Sequence, residues 1–158
     1  MTVSEQCGLA VVNGNQILGL IRRNITYMDK TLIIPLYKAI VRPHLEYCIQ
    51  AWRPYHKKDI DKLERVQRRA TKLIPELKHL CYETRLLECK LTTLETRRLR
   101  GDLIEVFKIL NGYEDIESNI FFKLKENSVT RGHKAALIKP YSRLDKRKFS
   151  FSQITIND

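Results

Sequence analysis

RPHLEYCIQAWRPYHKKDIDKLERVQRRATKLIP, residues 42 to 75, joins a Pro-bounded apolar segment to a helix with two separate faces. At about 100° per residue, Ile60, Leu63, Val66, Ala70, Leu73 and Ile74 gather in one stripe. Lys58, Lys62, Arg65, Arg69 and Lys72, spaced 4, 3, 4 and 3, gather in another, its centre roughly 120° away. The apolar stripe specifies a helix lying on a core. The cationic stripe runs about 21 Å at roughly 1.5 Å per residue, long enough to follow several phosphates of a nucleic-acid backbone, with Arg68 at its flank. The competing reading is an ordinary solvated face, since Asp61 with Arg65 and Glu64 with Arg68 are acid-first i,i+4 pairs.

Working outward, helical spacing recurs on both sides. From Ser4 to Arg23 the positions Leu9, Val12, Gln16, Ile17, Leu20 and Ile21 approximate an inward face, with Thr2 or Ser4 as cap and Gly8, Gly14 and Gly19 as weak points. A second helix is predicted from near Asp29 to Val41, with Leu32, Ile33, Leu36, Tyr37 and Ile40 inward. Arg42-Pro43 should end it, and Pro43 should open a short third helix to about Ala51. The basic helix then spans about Lys57 to Ile74, where Pro75 stops it, and a short helix falls around Tyr82 to Glu88.

Thr92-Thr93-Leu94-Glu95 fits a capping box for a longer helix carrying Leu99, Leu103, Val106 and Leu110, joined by Ile104 and Phe107. Asn111-Gly112 supplies a left-handed stop. Arg97, Arg98 and Arg100 crowd its first turns against the macrodipole, which suits either an anionic ligand or pairing with nearby acids. Beyond Gly112 the period fades. Residues 131 to 148 hold seven cations, among them Arg131, Lys134, Arg143, Lys146, Arg147 and Lys148, against Asp145. Tyr141, Phe149 and Phe151 interleave with this arm, a pairing that single-strand binders use for phosphate contact and stacking. The other reading is a poorly ordered, truncated tail. Phe149-Ser-Phe151 and Ile154-Thr-Ile156 each alternate with period two, which allows short strands or a short β-hairpin there.

The fold class is therefore mostly α: a multi-helix, bundle-like domain over residues 1–112 and an irregular basic C-terminal extension over 113–158. Twenty-nine Lys and Arg against eighteen Asp and Glu leave +11 on 158 residues, and 43% apolar content is enough for a core. That balance favours a polyanion as partner, nucleic acid first and an anionic membrane surface second. No apolar run reaches the roughly 18 to 20 residues that span a bilayer, so a soluble protein of the cytoplasm or nucleus is expected.

Catalytic chemistry finds little footing. Cys7, Cys48, Cys81 and Cys89 are irregularly spaced and are expected to be reduced. His79-x-Cys81 with Cys89 lacks a fourth ligand, and His44 with Cys48, four apart on one predicted helix, lacks an orienting carboxylate. No Gly-rich phosphate loop or nucleophile elbow is present. Asp59-x-Asp61 and Glu114-Asp115 are acidic pairs, but two-metal chemistry needs several convergent carboxylates. Neither a catalytic residue, a metal site nor a cofactor is assigned.

A family resemblance runs through the same segments. Leu36-Tyr37-Lys38, the run Val41-Arg42-Pro43-His44-Leu45-Glu46-Tyr47-Cys48, Ala51-Trp52 and the run from Leu63 to Thr71 resemble the region after the polymerase core of reverse transcriptases from non-LTR retrotransposons of the jockey and CR1 kind. It continues through Arg97 to Glu105, Arg131-Gly132-His133 and Ser142-Arg143-Leu144-Asp145, covering nearly all of the chain. The resemblance implies a thumb-like and post-thumb helical region that grips RNA or DNA, working with a polymerase core that this sequence lacks. Such enzymes place two adjacent aspartates at the catalytic metals, and no adjacent Asp pair occurs here. The expectation is a non-catalytic fragment that contacts nucleic-acid backbone through the cations named above. The alternative is a structural or protein-interaction helical module, a retained element remnant.

Overall fold

The computed structural model describes residues 2–125 and 136–156, and the protein is mostly helical. Helix α1 (Val3–Asn24) begins at a capping box: Thr2 Oγ1 accepts the Glu5 N–H at 3.2 Å, and the Glu5 carboxylate accepts the Thr2 N–H at 2.7 Å. Asp29 caps α2 (Lys30–Leu36) by accepting the Thr31 N–H at 3.0 Å.

The expected break at Arg42-Pro43 does not occur. A π-helical turn (Tyr37–Val41) carries the chain straight into α3 (Arg42–Glu46), and Arg42 stays helical at φ −59°, ψ −37°. Proline has no N–H and its ring collides with the carbonyl four residues back. The wider turn, closed by the Arg42 N–H on the Tyr37 carbonyl, moves that turn aside. Its extra residue also rotates the face that follows, so Val41 is buried and Ile40 exposed; in α2, ahead of the turn, Ile34 is buried beside Ile33 and Leu32 is exposed. The helix ends instead at Tyr47, which is extended, and Cys48, which is left-handed at φ 48°. The predicted helix from Pro43 to Ala51 is thus split into α3 and α4 (Ile49–Trp52), and Trp52 is buried with Nε1 donating to the Tyr47 carbonyl at 2.5 Å.

Helix α5 (Lys57–Lys72) carries the sequence's two faces as expected, with Leu63, Val66, Ala70 and, just beyond it, Ile74 fully buried and Ile60 and Leu73 half-buried. Pro75 opens a 3-10 turn, and α6 (Tyr82–Glu88) follows. In α7 (Leu94–Leu110) the cap is one residue later than predicted, because Thr93 Oγ1 accepts the Thr96 N–H at 3.1 Å. Gly112 at φ +69° ends it as expected, the Tyr113 N–H returning to the Lys108 carbonyl at 2.9 Å.

The face of α1 differs from the predicted one. Cys7, Ala10, Gly14, Leu18 and Ile21 turn inward, while Leu9, Val12 and Leu20 are 53%, 52% and 50% exposed. Helix α1 packs on α3 and α5, and a Cβ on Gly14 would stand 3.2 Å from both Leu45 Cδ2 and Val66 Cγ1. Backbones that close admit small residues, so size selects the inward stripe here.

By internal contacts the chain forms two compact units, Met1–Arg98 and Leu99–Asp158, a division by packing that is different in kind from the change of composition after Gly112. The first is built around Tyr37, Leu45, Leu63, Val66, Ile74 and Leu94. The second gathers Val106, Ile109 and Phe122, with Phe151 edge-on to Phe122 at 6.0 Å, while Leu103, Ile104 and Phe107, expected on the inward face, are exposed. It also contains α8 (Ser118–Phe121) and the antiparallel pair β1 (Lys123–Leu124) and β2 (Leu137–Ile138), with Lys123 opposite Ile138. Helices α9 (Asp145–Lys148) and α10 (Phe151–Ile154) follow. The alternating stretch from Phe149 to Ile156 therefore forms no hairpin. Its Phe151 is taken into an aromatic cluster, and the two strands lie earlier in the chain.

Candidate nucleic-acid interface

Helix α5 holds three acids, and two of them face inward. Asp59 accepts from Ser4 Oγ at 3.0 Å and from Lys62 Nζ at 2.8 Å. Burial works against its charge, yet these hydrogen bonds outweigh burial and hold its pKa below the usual carboxylate value. Glu64 is buried as well. Tyr82 Oη and Gln67 Nε2 donate to its Oε1, the latter at 3.2 Å, and the Leu94 N–H donates to its Oε2 at 3.0 Å. Gln67 Nε2 also donates to Tyr82 Oη and to the Thr92 carbonyl, both at 3.0 Å, and Gln67 Oε1 accepts from Tyr37 Oη at 2.7 Å. Burial pushes both phenols well up, so they remain donors across the neutral range.

This network changes what the helix shows to solvent. Leu94 is the first residue of α7, where the backbone N–H has no partner within its own helix and a negative charge is favoured. Glu64 supplies that charge and so does not make the surface pair with Arg68 that its spacing suggests. The guanidinium of Arg68 lies instead over the Tyr82 ring, 4.7 Å from its centroid. Asp61 is the one exposed acid of α5.

Of the predicted stripe, Lys58, Arg65, Arg69 and Lys72 are exposed, and Lys62 is half-buried in its pair with Asp59. Among the described residues Lys58, Arg65 and Lys72 make no salt bridge, and Arg69 Nη1 donates to Asn15 Oδ1 at 2.8 Å. The stripe is assembled, with Lys62 and Arg69 engaged and Lys58, Arg65 and Lys72 outside any salt bridge among the described residues. Of the three cations at the start of α7, one is paired, one is buried and one is exposed. Arg97 grips Glu46 with Nε at 2.7 Å and Nη2 at 3.3 Å, and Arg98 is buried. Arg100 is exposed.

In the second unit Arg143, Arg147 and Lys148 are exposed, Lys148 Nζ lying 5.5 Å from the centroid of the Phe149 ring. Tyr141 is exposed, and Phe151 is half-buried, edge-on to Phe121 and Phe122. Arg131 and Lys134 lie outside the described residues, as does the side chain of Lys146.

Sequence spacing alone did not find a groove of about 600 Å³ at the C-terminal end of the stripe, lined by Asn15, Leu18, Gly19, Arg22, Arg69 and Lys72 and completed by Met28, Leu73, Pro75 and Lys78. The only signal for it in the sequence is Arg22 and Gly19 in the last turns of α1, which mean nothing until α1 is laid on α5.

The acidic and thiol pairs do not converge. Asp59 is buried while Asp61 is exposed, and Glu114 pairs with Lys108 at 3.0 Å. His44 and Cys48 fall on opposite sides of the break at Tyr47 and do not share a helix. Cys89 is buried and Cys81 exposed; burial pushes the Cys7 thiol up to about 11. Among the described residues no group of three or more His, Cys, Asp or Glu could hold a metal ion, and no helix is long and apolar enough to cross a membrane. No family model, no curated protein and no solved structure matches the chain.

Proposed function

We propose that the chain is a non-catalytic helical module that holds the backbone of RNA or DNA without reading its sequence, as its resemblance to the thumb region of a non-LTR retrotransposon reverse transcriptase implies. The observation that carries this reading is the withdrawal of Asp59 and Glu64 from the surface of α5. An ordinary solvated helix face mixes both signs. Here the exposed face keeps Lys58, Arg65, Arg68, Arg69 and Lys72 against Asp61 alone. Arg143, Arg147 and Lys148 would add contacts of the same kind, and catalytic carboxylates would belong to a separate polymerase core. A protein-interaction module is the second reading, favoured by the exposed Leu9, Val12 and Leu20 of α1.

Fluorescence anisotropy on labelled duplex across a salt series tests the reading. Sequence-independent binding has Kd about 10⁻⁴ to 10⁻⁶ M at physiological salt, and four neutralised phosphates give a log–log slope of about −3 to −4. Arg65→Gln with Arg69→Gln should make that slope shallower by about 2 and weaken all sequences alike. Binding that is absent, or unchanged by the double substitution, would refute it; circular dichroism should show unaltered helicity, since both residues are exposed.

A further inference from the structure

The groove between α1 and the end of α5 has a composition that backbone binding does not use. Arg22, Arg69, Lys72 and Lys78 stand around it, with no carboxylate in the lining, and Leu18, Met28, Leu73 and Pro75 form an apolar floor. We propose that this groove takes one unpaired nucleotide of a strand whose phosphates follow α5, its phosphate among the four cations and its sugar and base against the floor. The proposal rests on the backbone-binding reading and deepens it.

Three features favour that occupant. Arg69 and Lys72 belong both to the stripe and to the groove, so a strand following the stripe arrives at the groove without a gap. A volume of about 600 Å³ falls among small-ligand sites, which run about 300 to 1,000 Å³. Gly19 keeps the groove open: a Cβ built there meets nothing within 4 Å, although glycine is a poor residue for the inside of a helix. A lone anionic lipid would meet the same cations and floor, but it would leave Lys58 and Arg65, further along the same face, without a role. The floor has no aromatic ring, and the Asn15 amide oxygen is engaged by Arg69. The groove therefore accepts a base without selecting one.

Gly19→Leu fills the groove from a position where the added side chain enters open space, so the thermal midpoint should not fall. Anisotropy would compare a blunt duplex with the same duplex carrying a short thymidine overhang. The unaltered chain should prefer the overhang by about fivefold, the gain that burying roughly one methylene's worth of apolar surface on the floor contributes. Gly19→Leu should erase that preference and leave blunt-duplex affinity and salt slope unchanged. Lys78→Gln, on the rim and outside α5, should reduce the preference in part, which keeps the test decisive if Gly19→Leu is unstable. A preference that survives Gly19→Leu, or no preference in the unaltered chain alongside salt-sensitive duplex binding, overturns this inference alone. Absence of any duplex binding overturns the backbone reading and this inference with it. Binding to phosphatidylserine vesicles that Gly19→Leu abolishes, with the overhang unaffected, would assign the groove to a lipid headgroup and overturn it too.

Discussion

Replacing Glu64 by Ala should cost about 2 to 4 kcal/mol of folding stability. The magnitude follows from what the carboxylate holds. Without it, Tyr82 Oη and Gln67 Nε2 can still bond each other at 3.0 Å, but the Leu94 N–H loses its acceptor in a buried position. One orphaned buried donor costs about 1 to 3 kcal/mol, and the rest is the charge at the α7 N-terminus together with lost packing. Against a total of about 5 to 15 kcal/mol for a domain this is a large fraction. Glu64→Gln should cost less, about 1 to 2 kcal/mol, because its amide oxygen can still accept from Leu94 while the Tyr82 hydroxyl turns to accept from the amide NH2 that replaces Oε1. Urea unfolding followed by circular dichroism gives both numbers, with an unchanged m-value showing that only stability moved. The same variant separates the two readings of the cationic face. A surface Glu64 paired with Arg68 would, once neutralised, steepen the nucleic-acid salt slope by about 1. A buried Glu64 capping α7 leaves the slope where it was. Equal costs for Gln and Ala, or a steeper slope in Glu64→Gln, would refute the placement of this carboxylate.

Asp59 has a folded pKa below its ordinary 3.8, so it contributes stability that is present above that value and is lost as pH falls through the depressed one. Urea midpoints measured down a pH series should show this loss in the unaltered chain and a flatter profile below pH 3.8 in Asp59→Asn. On α1, Gly14→Leu should destabilise by more than about 2 kcal/mol through overpacking, since even its Cβ stands 3.2 Å from Leu45 and Val66. The same substitution at Gly19 should raise the thermal midpoint or leave it unchanged, so thermal melts of the two variants should move apart.

Helix positions were legible wherever long apolar side chains repeat at helical spacing and turn chemistry marks the ends. Helix α5 had Leu63, Val66 and Ala70 on one side and Pro75 after it; α7 had Gly112 to stop it. Faces were legible only where the inward residues are large. On α1 the inward stripe of Cys7, Ala10 and Gly14 is nearly invisible to a hydrophobic period, because the neighbouring helices come too close for leucine. The break expected at Pro43 failed for a different reason: a single π turn absorbs the proline, and no residue type marks such a turn. The cationic stripe was readable because it lies within one helix. The groove beside it was not, since its walls, Arg22 and Lys78, are far apart in sequence.

The polar core explains why the stripe is more cationic in the fold than in the sequence. Counted along the chain, α5 carries seven bases against three acids, with the acids spaced to pair along its surface. Tertiary contacts sort those charges by sign. Glu64 is drawn inward by a helix N-terminus thirty residues away and by the hydroxyl of Tyr82, and Asp59 by Ser4 and Lys62. The arginines of α5 meet no buried carboxylate among the described residues: Arg68 rests on the Tyr82 ring and Arg69 donates to Asn15 while staying exposed. Burying an acid costs desolvation, which is offset here only because each one replaces water with several donors. Stability and the cationic face thus share one cause: the residues that complete the core of the first unit are the acids that would otherwise have neutralised its surface.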